Sequence, residues 1–422
     1  MSSLLDPAGW LLIVGTFVLV LRWKVFAGEP FVRTIMVGAV LIRTLYSLVN
    51  VAVGPIFGLQ LDAQAFQLEA VRFARGQGIS VGLVTGWVYS GFLGSLYRIT
   101  RGGLLLGQQL SVLAVVFSAA TIIRIVHRMN VRPSRIKWVL AITLFLPAGI
   151  VYTSGTLREA FQQLLFLLTA EFALKTIDHP RVKTIALMSL TTALGASLHG
   201  ALAIGGAAVA AGSLLFAGLV RSPAGTRESA ILRRVLPIGL IVVVVVGLSV
   251  PTLLFRYNLG GGALTAATRF RNGTVPGRAD YLRFRPGEVI KYGDLPAIVG
   301  LYELAPFAWQ AQNIADVIAS IEAIVRAALV MTLGIAVIHS MRGRYNDFLK
   351  VLLLAGGWLA IEFAWSLGTT NWGTGARHHT VGFPLLVIVA ALAPDLVRHR
   401  GDEHALARSG RAIAYQGSPS LT

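Results

Sequence analysis

The sequence predicts an all-α polytopic membrane protein of about eleven spans with two large outer loops, and three observations carry that prediction. Charged residues make up only 13% of the chain, against about 25% in a soluble domain. Hydrophobic residues reach 55% and the mean hydropathy is +0.70, so most of the chain belongs in lipid. The apolar residues come in runs of roughly 20, long enough for a helix to cross a bilayer. They do not form the short alternating segments of an outer-membrane barrel.

In chain order the candidate spans are residues 8–26, 32–53, 104–126, 137–153, 158–176, 184–199, 201–220, 235–254, 323–340, 349–367 and 380–397. Residues 79–97 are also long enough, but Gly82, Gly86, Gly91 and Gly94 interrupt them. The opening MSSLLDPAGW has no basic region and no small-residue cleavage site, so 8–26 reads as a retained span and not a signal peptide. Residues 1–397 then form a single transmembrane domain, and the polar residues 398–422 read as a disordered cytoplasmic tail.

Charge orients the helices. A net charge of +18 suggests nucleic acid in a soluble protein. Here basic cytoplasmic loops account for most of it, and no nucleic-acid partner is expected. Counting back from Arg398, Arg400, Arg408 and Arg411, alternation puts on one side Arg342, Arg344 and Lys350, then Arg221 to Arg234, then Lys175 to Lys183, then Arg124 to Lys137. Only one choice adds Arg22, Lys24 and Arg33 to that side: 79–97 does not span, and 54–103 is one outer loop. The N-terminus is then outside and the C-terminus inside. The second outer loop, 255–322, holds Arg256, Arg269, Arg271, Arg278, Arg283, Arg285 and Lys291, more cations than the rule predicts. They suit an anionic ligand such as a phosphate or acidic sugar, or equally lipid headgroups.

Four places could carry chemistry on the outer side. In 61–73, Leu61, Ala65, Leu68 and Phe73 recur at helical spacing with charge on the opposite face, the pattern of a helix lying on a membrane surface. Asp62 there reads as a base or as the cap of its helix. The turn YTSGTLREAF at 152–161 places Arg158 and Glu159 where the chain re-enters lipid. Ionisable groups at that depth mark a site by default, the alternative being a structural ion pair or a snorkelling arginine. His199 sits at a hairpin tip between small-residue helices, as a ligand-binding or a packing histidine. Finally, TTNWGTGARHHT at 369–380 reads as a flexible loop, with Gly373 and Gly375 opening amides to a phosphate and Arg377 adding a forked cation.

Several chemistries are excluded or disfavoured. The absence of cysteine removes disulfides, thiolate catalysis and Cys-based metal sites. His378 and His379 invite a metal, but neighbouring residues seldom point the same way, and no Asp-x-Asp or His-x-x-x-His partner exists. No metal and no cofactor is expected. There is no Walker motif and no GxGxxG followed by an acid, so a nucleotide-driven mechanism lacks support.

The order of these features resembles the GT-C superfamily of polyprenyl-phosphate-dependent membrane glycosyltransferases, which carry an Asp in a first outer loop, then surface helices and a long apolar span. Here DAQAFQLEA at 62–70 precedes YSGFLGSLY at 89–97. The 152–161 turn, with Ser154 and Arg158, is similar to a Ser-x-x-x-Arg turn of EpsG- and Wzy-type polysaccharide polymerases, and LHGA at 198–201 resembles their histidine hairpin. The resemblance implies a glycosyltransferase at the outer face of a bacterial inner membrane with a polyprenyl-(di)phosphate-linked saccharide as donor. It would polymerise exopolysaccharide or O-antigen repeat units or, alternatively, add a single sugar. Asp62, Arg158 and His199 would then be catalytic, and Glu159, Arg269, Arg271, Arg377 and His378 would bind substrate. The implied partners are the bilayer, the lipid-linked saccharide and other components of polysaccharide export. A transporter or flippase for a lipid-linked or anionic solute explains the basic outer surface without a base. It predicts broken helices at the midplane and internal pseudo-symmetry, whereas the charged groups here lie near the outer edges of spans.

Overall fold

The structure is a computed structural model and describes residues 5–28, 30–54, 60–78, 86–220, 291–341 and 345–416. Among the described residues it is helical, without strands. The α-helices are α1 (Pro7–Arg22), α2 (Pro30–Val53), α3 (Gln60–Ala74), α4 (Trp87–Thr100), α5 (Leu104–Arg128), α6 (Pro133–Phe145), α7 (Pro147–Tyr152), α8 (Glu159–Asp178), α9 (Val182–Leu198), α10 (Gly200–Val220), α11 (Leu295–Leu304), α12 (Ile314–Ser340), α13 (Tyr345–Ser366) and α14 (Trp372–Gln416). Six stretches, in α2, α5, α10, α12, α13 and α14 up to Pro394, are long and apolar enough to cross a membrane. The other expected spans fall on α1, α6, α8 and α9, which are shorter or more polar, and on 235–254, outside the described residues.

α5 and α8 form the middle of the bundle. α5 packs on α1, α2 and α8, and α8 packs on α9, α10 and α14. The helix starts follow from their sequences. Asp6 caps two helices at once, its Oδ1 accepting from the Gly9 amide (3.0 Å) and its Oδ2 from the amides of Gly103 (2.8 Å) and Leu106 (2.9 Å). Pro133 and Pro147 occupy first-turn positions, where a missing N–H costs nothing. Pro147 also splits the expected span 137–153 into α6 and α7, with Leu146 extended between them.

α14 carries Pro384 in its interior, and proline leaves the carbonyl four residues back without its helical donor. That carbonyl, on Thr380, accepts instead from the Gln163 side chain of α8 at 2.9 Å. The helix therefore continues where a lone proline would break it. It also runs to Gln416, through residues that composition reads as a disordered tail. The run from His404 to Gln416 is rich in Ala and Arg, which favour helix over coil.

α3 and α4 pack as a pair beside the bundle. Gly94 permits the contact, because a Cβ there would lie 2.6 Å from the Ala70 carbonyl oxygen. The buried face of α3 is Ala63, Phe66, Glu69 and Ala70, while Leu68 is exposed. This is a different face from the one the 61/65/68/73 periodicity selects. The reason is that α3 buries its side against α4 and the 153–158 turn, and leaves Leu68 on the outer surface. At 14 residues, α4 rises only roughly 21 Å, short of a hydrocarbon core of about 30 Å.

Polar groups separate to the two ends of α8, which rises roughly 28 Å between Glu159 and Asp178. At the Asp178 end, Arg124 and Lys175 pair with Glu171, and Arg128 and Lys350 pair with Asp178. At the Glu159 end lie Asp6, the start of α3, the α9–α10 junction and the start of α14. Single cysteines replacing the exposed Thr100 and Ser134 are expected to react with an impermeant thiol reagent from opposite sides of the membrane. The chain offers no competing thiol. Labelling of both from the same side would contradict the two-ended arrangement.

Candidate functional site

The site begins with the turn 153–158 between α7 and α8, every residue of which is buried. Irregular backbone inside a helical bundle must find its hydrogen bonds in side chains. Arg43 of α2 donates from Nε to Thr153 Oγ1 (3.0 Å), Ser47 donates to the Ser154 carbonyl (2.8 Å), and Ser111 of α5 donates to the Gly155 carbonyl (2.8 Å). The Thr156 hydroxyl donates to the Ala63 carbonyl of α3 at 3.1 Å. The turn thus ties α2, α3 and α5 together and delivers Arg158 and Glu159 to a fixed place.

Arg158 donates to the Leu198 carbonyl at 2.7 Å, and its guanidinium carbon lies 5.5 Å from the centre of the Phe66 ring. Glu159, whose side chain is 1% exposed, forms an ion pair with Arg377 of α14, 3.0 Å from Oε1 to Nε. Arg377 also pairs through Nη1 with Asp62 Oδ2. Asp62 closes the group and is the open member, with 54% of its side chain exposed against 13% for Arg377. Asp62 is the third residue of α3 and lies in its first turn. A carboxylate there is favoured by the helix dipole, but it is not the residue before the helix, where a cap would sit.

Two histidines stand beside the arginines. His199 Nδ1 accepts from the Ala201 amide (3.1 Å) and the Trp365 indole (3.3 Å), which places the proton of a neutral ring on Nε2. His378 stacks on Trp365 with ring centres 4.9 Å apart and meets His199 edge-on at 5.4 Å. His199 and His378 are both within electrostatic reach of Arg158 and Arg377. Asp62, Arg158, Glu159, His199, Arg377 and His378 therefore converge. Arg269 and Arg271 lie outside the described residues.

The stretch 369–380 departs from its sequence reading. Asn371 accepts from the Thr374 amide at 2.8 Å, and α14 starts at Trp372. Gly373 and Gly375 are therefore in its first turn and not in a flexible loop. Because this stretch is helical, His379 points away from His378 and meets Glu362 Oε2 at 2.8 Å. Glu362 of α13 and Glu303 of α11 form a second buried acidic group with Arg326 and Tyr302. Burial pushes the Glu303 carboxyl up to about 7, with Arg326 opposing the shift. Sequence reasoning missed this group, although Glu362 carries its own signal: it is a lone acid in an apolar span.

Among the described residues these are the features of a helical membrane protein, with a polar, charge-balanced site at one end of its bundle. The chain matches no protein-family model, no curated protein and no solved structure.

Removing Arg377 would leave Glu159 buried without its cation. Arg377→Ala is expected to destabilise the protein by about 3–5 kcal/mol. Arg377→Ala with Glu159→Gln should lose distinctly less than the two single changes added together, a coupling that thermal unfolding in detergent measures directly.

Proposed function

We propose that this protein is a membrane glycosyltransferase that takes its donor sugar from a polyprenyl-(di)phosphate and works at the outer face of a bacterial inner membrane. The observation that supports this most is the convergence of one exposed carboxylate, Asp62, with two guanidinium groups, the buried Arg158 and the partly buried Arg377. Glycosyl transfer from a lipid phosphate needs those two kinds of group side by side. The acceptor hydroxyl gives its proton to the Asp62 carboxylate as its oxygen bonds to the anomeric carbon. The bond from that carbon to the donor phosphate breaks, and the charge left on the phosphate falls to Arg158 and Arg377. Glu159 holds Arg377 in place when Asp62 turns to the acceptor. The Nε2–H of His199 offers a hydrogen bond to phosphate or sugar, and His378 with Trp365 presents ring surface beside it.

In the same proposal the chain crosses the membrane eleven times, with the Asp62 end outside. The 198–201 hairpin and the 152–161 turn, which resemble polysaccharide polymerases, favour a product built by repeated transfer of exopolysaccharide or O-antigen units.

Asp62→Asn keeps size while removing the base, so turnover should fall about 10²–10⁴-fold. Stability should change by no more than about 1 kcal/mol, because the carboxylate is exposed. Near-normal product would exclude Asp62 as the base. Arg158→Lys should restore only part of the activity that Arg158→Ala loses, since an ammonium cannot copy a forked contact to phosphate.

Deleting the gene separates the two modes of transfer. A polymerase deletion stops surface glycan at one complete repeat unit. Accumulation of a unit lacking one sugar would assign single transfer instead.

A further inference from the structure

The second polar group has an arrangement that hydrogen bonding alone does not explain. Glu303, Glu362 and His379 are 6%, 1% and 5% exposed, and a ligand atom from each lies within 4.8 Å of the others. His379 Nε2 faces the Tyr302 carbonyl oxygen at 3.2 Å, and a carbonyl only accepts, so Nε2 carries the proton. In the neutral ring Nδ1 then holds a lone pair, and it faces Glu362 Oε2 at 2.8 Å. Two lone pairs at that distance require a cation or a proton beside them.

The carboxylate oxygens point the same way. Glu362 Oε1 and both Glu303 carboxylate oxygens are buried without hydrogen-bond partners. Glu303 Oε2 has only an ion-pair contact with Arg326 Nε at 3.3 Å, and that nitrogen already donates to the Glu303 main-chain oxygen at 2.8 Å. The Tyr302 hydroxyl lies beside Glu362 and interacts with its carboxylate, but it does not serve Glu303, whose two carboxylate oxygens stay unmet. One proton on His379 would leave these oxygens unmet. Glu322, whose Oε1 accepts the Ala148 amide at 2.7 Å, brings a third carboxyl group to the same guanidinium.

We propose that Glu303, Glu362 and His379 bind one divalent first-row transition ion. Two carboxylates and an imidazole suit zinc, manganese or ferrous iron. The Tyr302 carbonyl plays the part of the outer partner that fixes the tautomer and aims Nδ1 at the ion. Ligand atoms about 2.0–2.2 Å from one ion sit roughly 3–4.4 Å apart, so a small rotation of the carboxylates completes the set. A crevice lined by Glu322, Arg326 and Trp372 reaches His379, one of the three ligands. Glu303, Glu362 and His379 come from α11, α13 and α14, so the ion would clamp three helices behind Arg377. The inference does not depend on the glycosyltransferase reading.

The experiment uses the full chain purified in detergent without a histidine tag, stripped with chelator and then titrated with Zn²⁺, Mn²⁺ or Fe²⁺. Elemental analysis should find about one ion per chain, and unfolding temperature should drop on stripping and recover on adding metal. Glu362→Gln should weaken binding about 100-fold or more. Cobalt substitution of the unmutated protein should give a visible absorption band, which does not depend on any variant folding. No bound ion with an unchanged unfolding temperature would overturn the site and assign the group to a protonated histidine–carboxylate pair. Binding that survives both Glu362→Gln and His379→Asn would place the metal elsewhere and overturn it equally.

Discussion

The buried turn at 153–158 is the constraint on which the rest of the structure depends. Each of its carbonyls and hydroxyls, if left unmet in a helical bundle, would cost about 1–3 kcal/mol. The partners come from α2, α3 and α5: Arg43, Ser47, Ser111 and the Ala63 carbonyl. Their demands run backwards into the sequence. An apolar helix such as α2 carries a fully buried arginine, Arg43, because the turn needs a long forked donor deep in the bundle. Helix α3 is drawn in by Thr156, and that contact brings Asp62 to Arg377. Without the turn, Asp62 would belong to a surface helix with no reason to face the bundle.

Charge is arranged in depth as well as in sequence. At one end of α8, Arg124, Arg128, Lys175 and Lys350 share Glu171 and Asp178, so cations exceed anions. At the other end, Asp62 and Glu159 balance Arg158 and Arg377, and the second group carries an excess of acid. A buried cation or anion is tolerated only with a partner in place, and that requirement accounts for the pairing at both ends. The difference is exposure. The basic end faces out through its arginines, whereas the acidic end opens mainly through Asp62.

Much of this was legible in the sequence, and the failures have physical causes. Composition and run length identify the class, and the depth of Arg158 and Glu159 identifies the turn, because ionisable groups are costly there whatever their neighbours. Asp62, Arg377, His199 and His378 were each visible, but their convergence was not, since it depends on helix packing between residues 315 positions apart. Periodicity picks out a different side of α3 from the one packed on protein, because a helix between lipid and protein has two apolar sides. The stretch 369–380 reads as a loop because glycines in a first turn look like glycines in a loop, and only the Asn371 side chain, accepting from the Thr374 amide, marks the helix start. Glu303 and Glu362 went unseen for another reason. Metal-ligand spacing is legible along a chain only when one element carries several ligands, whereas here three helices each contribute one residue.

One turn of α14 connects these observations. Arg377 reaches Asp62 and Glu159, His378 stacks on Trp365 beside His199, His379 meets Glu362 and Tyr302, and the Thr380 carbonyl takes the Gln163 amide. Successive residues on a helix point about 100° apart, so these four consecutive residues face four different neighbours. A shift of the helix backbone would move all four contacts together. A displacement that released Arg377 from Glu159 would also unstack His378 and pull His379 from Glu362. Pro384 lies four residues beyond Thr380, where a helix would otherwise hinge, and Gln163 repairs that weak point by hydrogen bond. The start of α14 is thus a rigid block that holds both polar groups in one register. A cation held behind Arg377 would act on the arginine through this helix, with no contact of its own to the site.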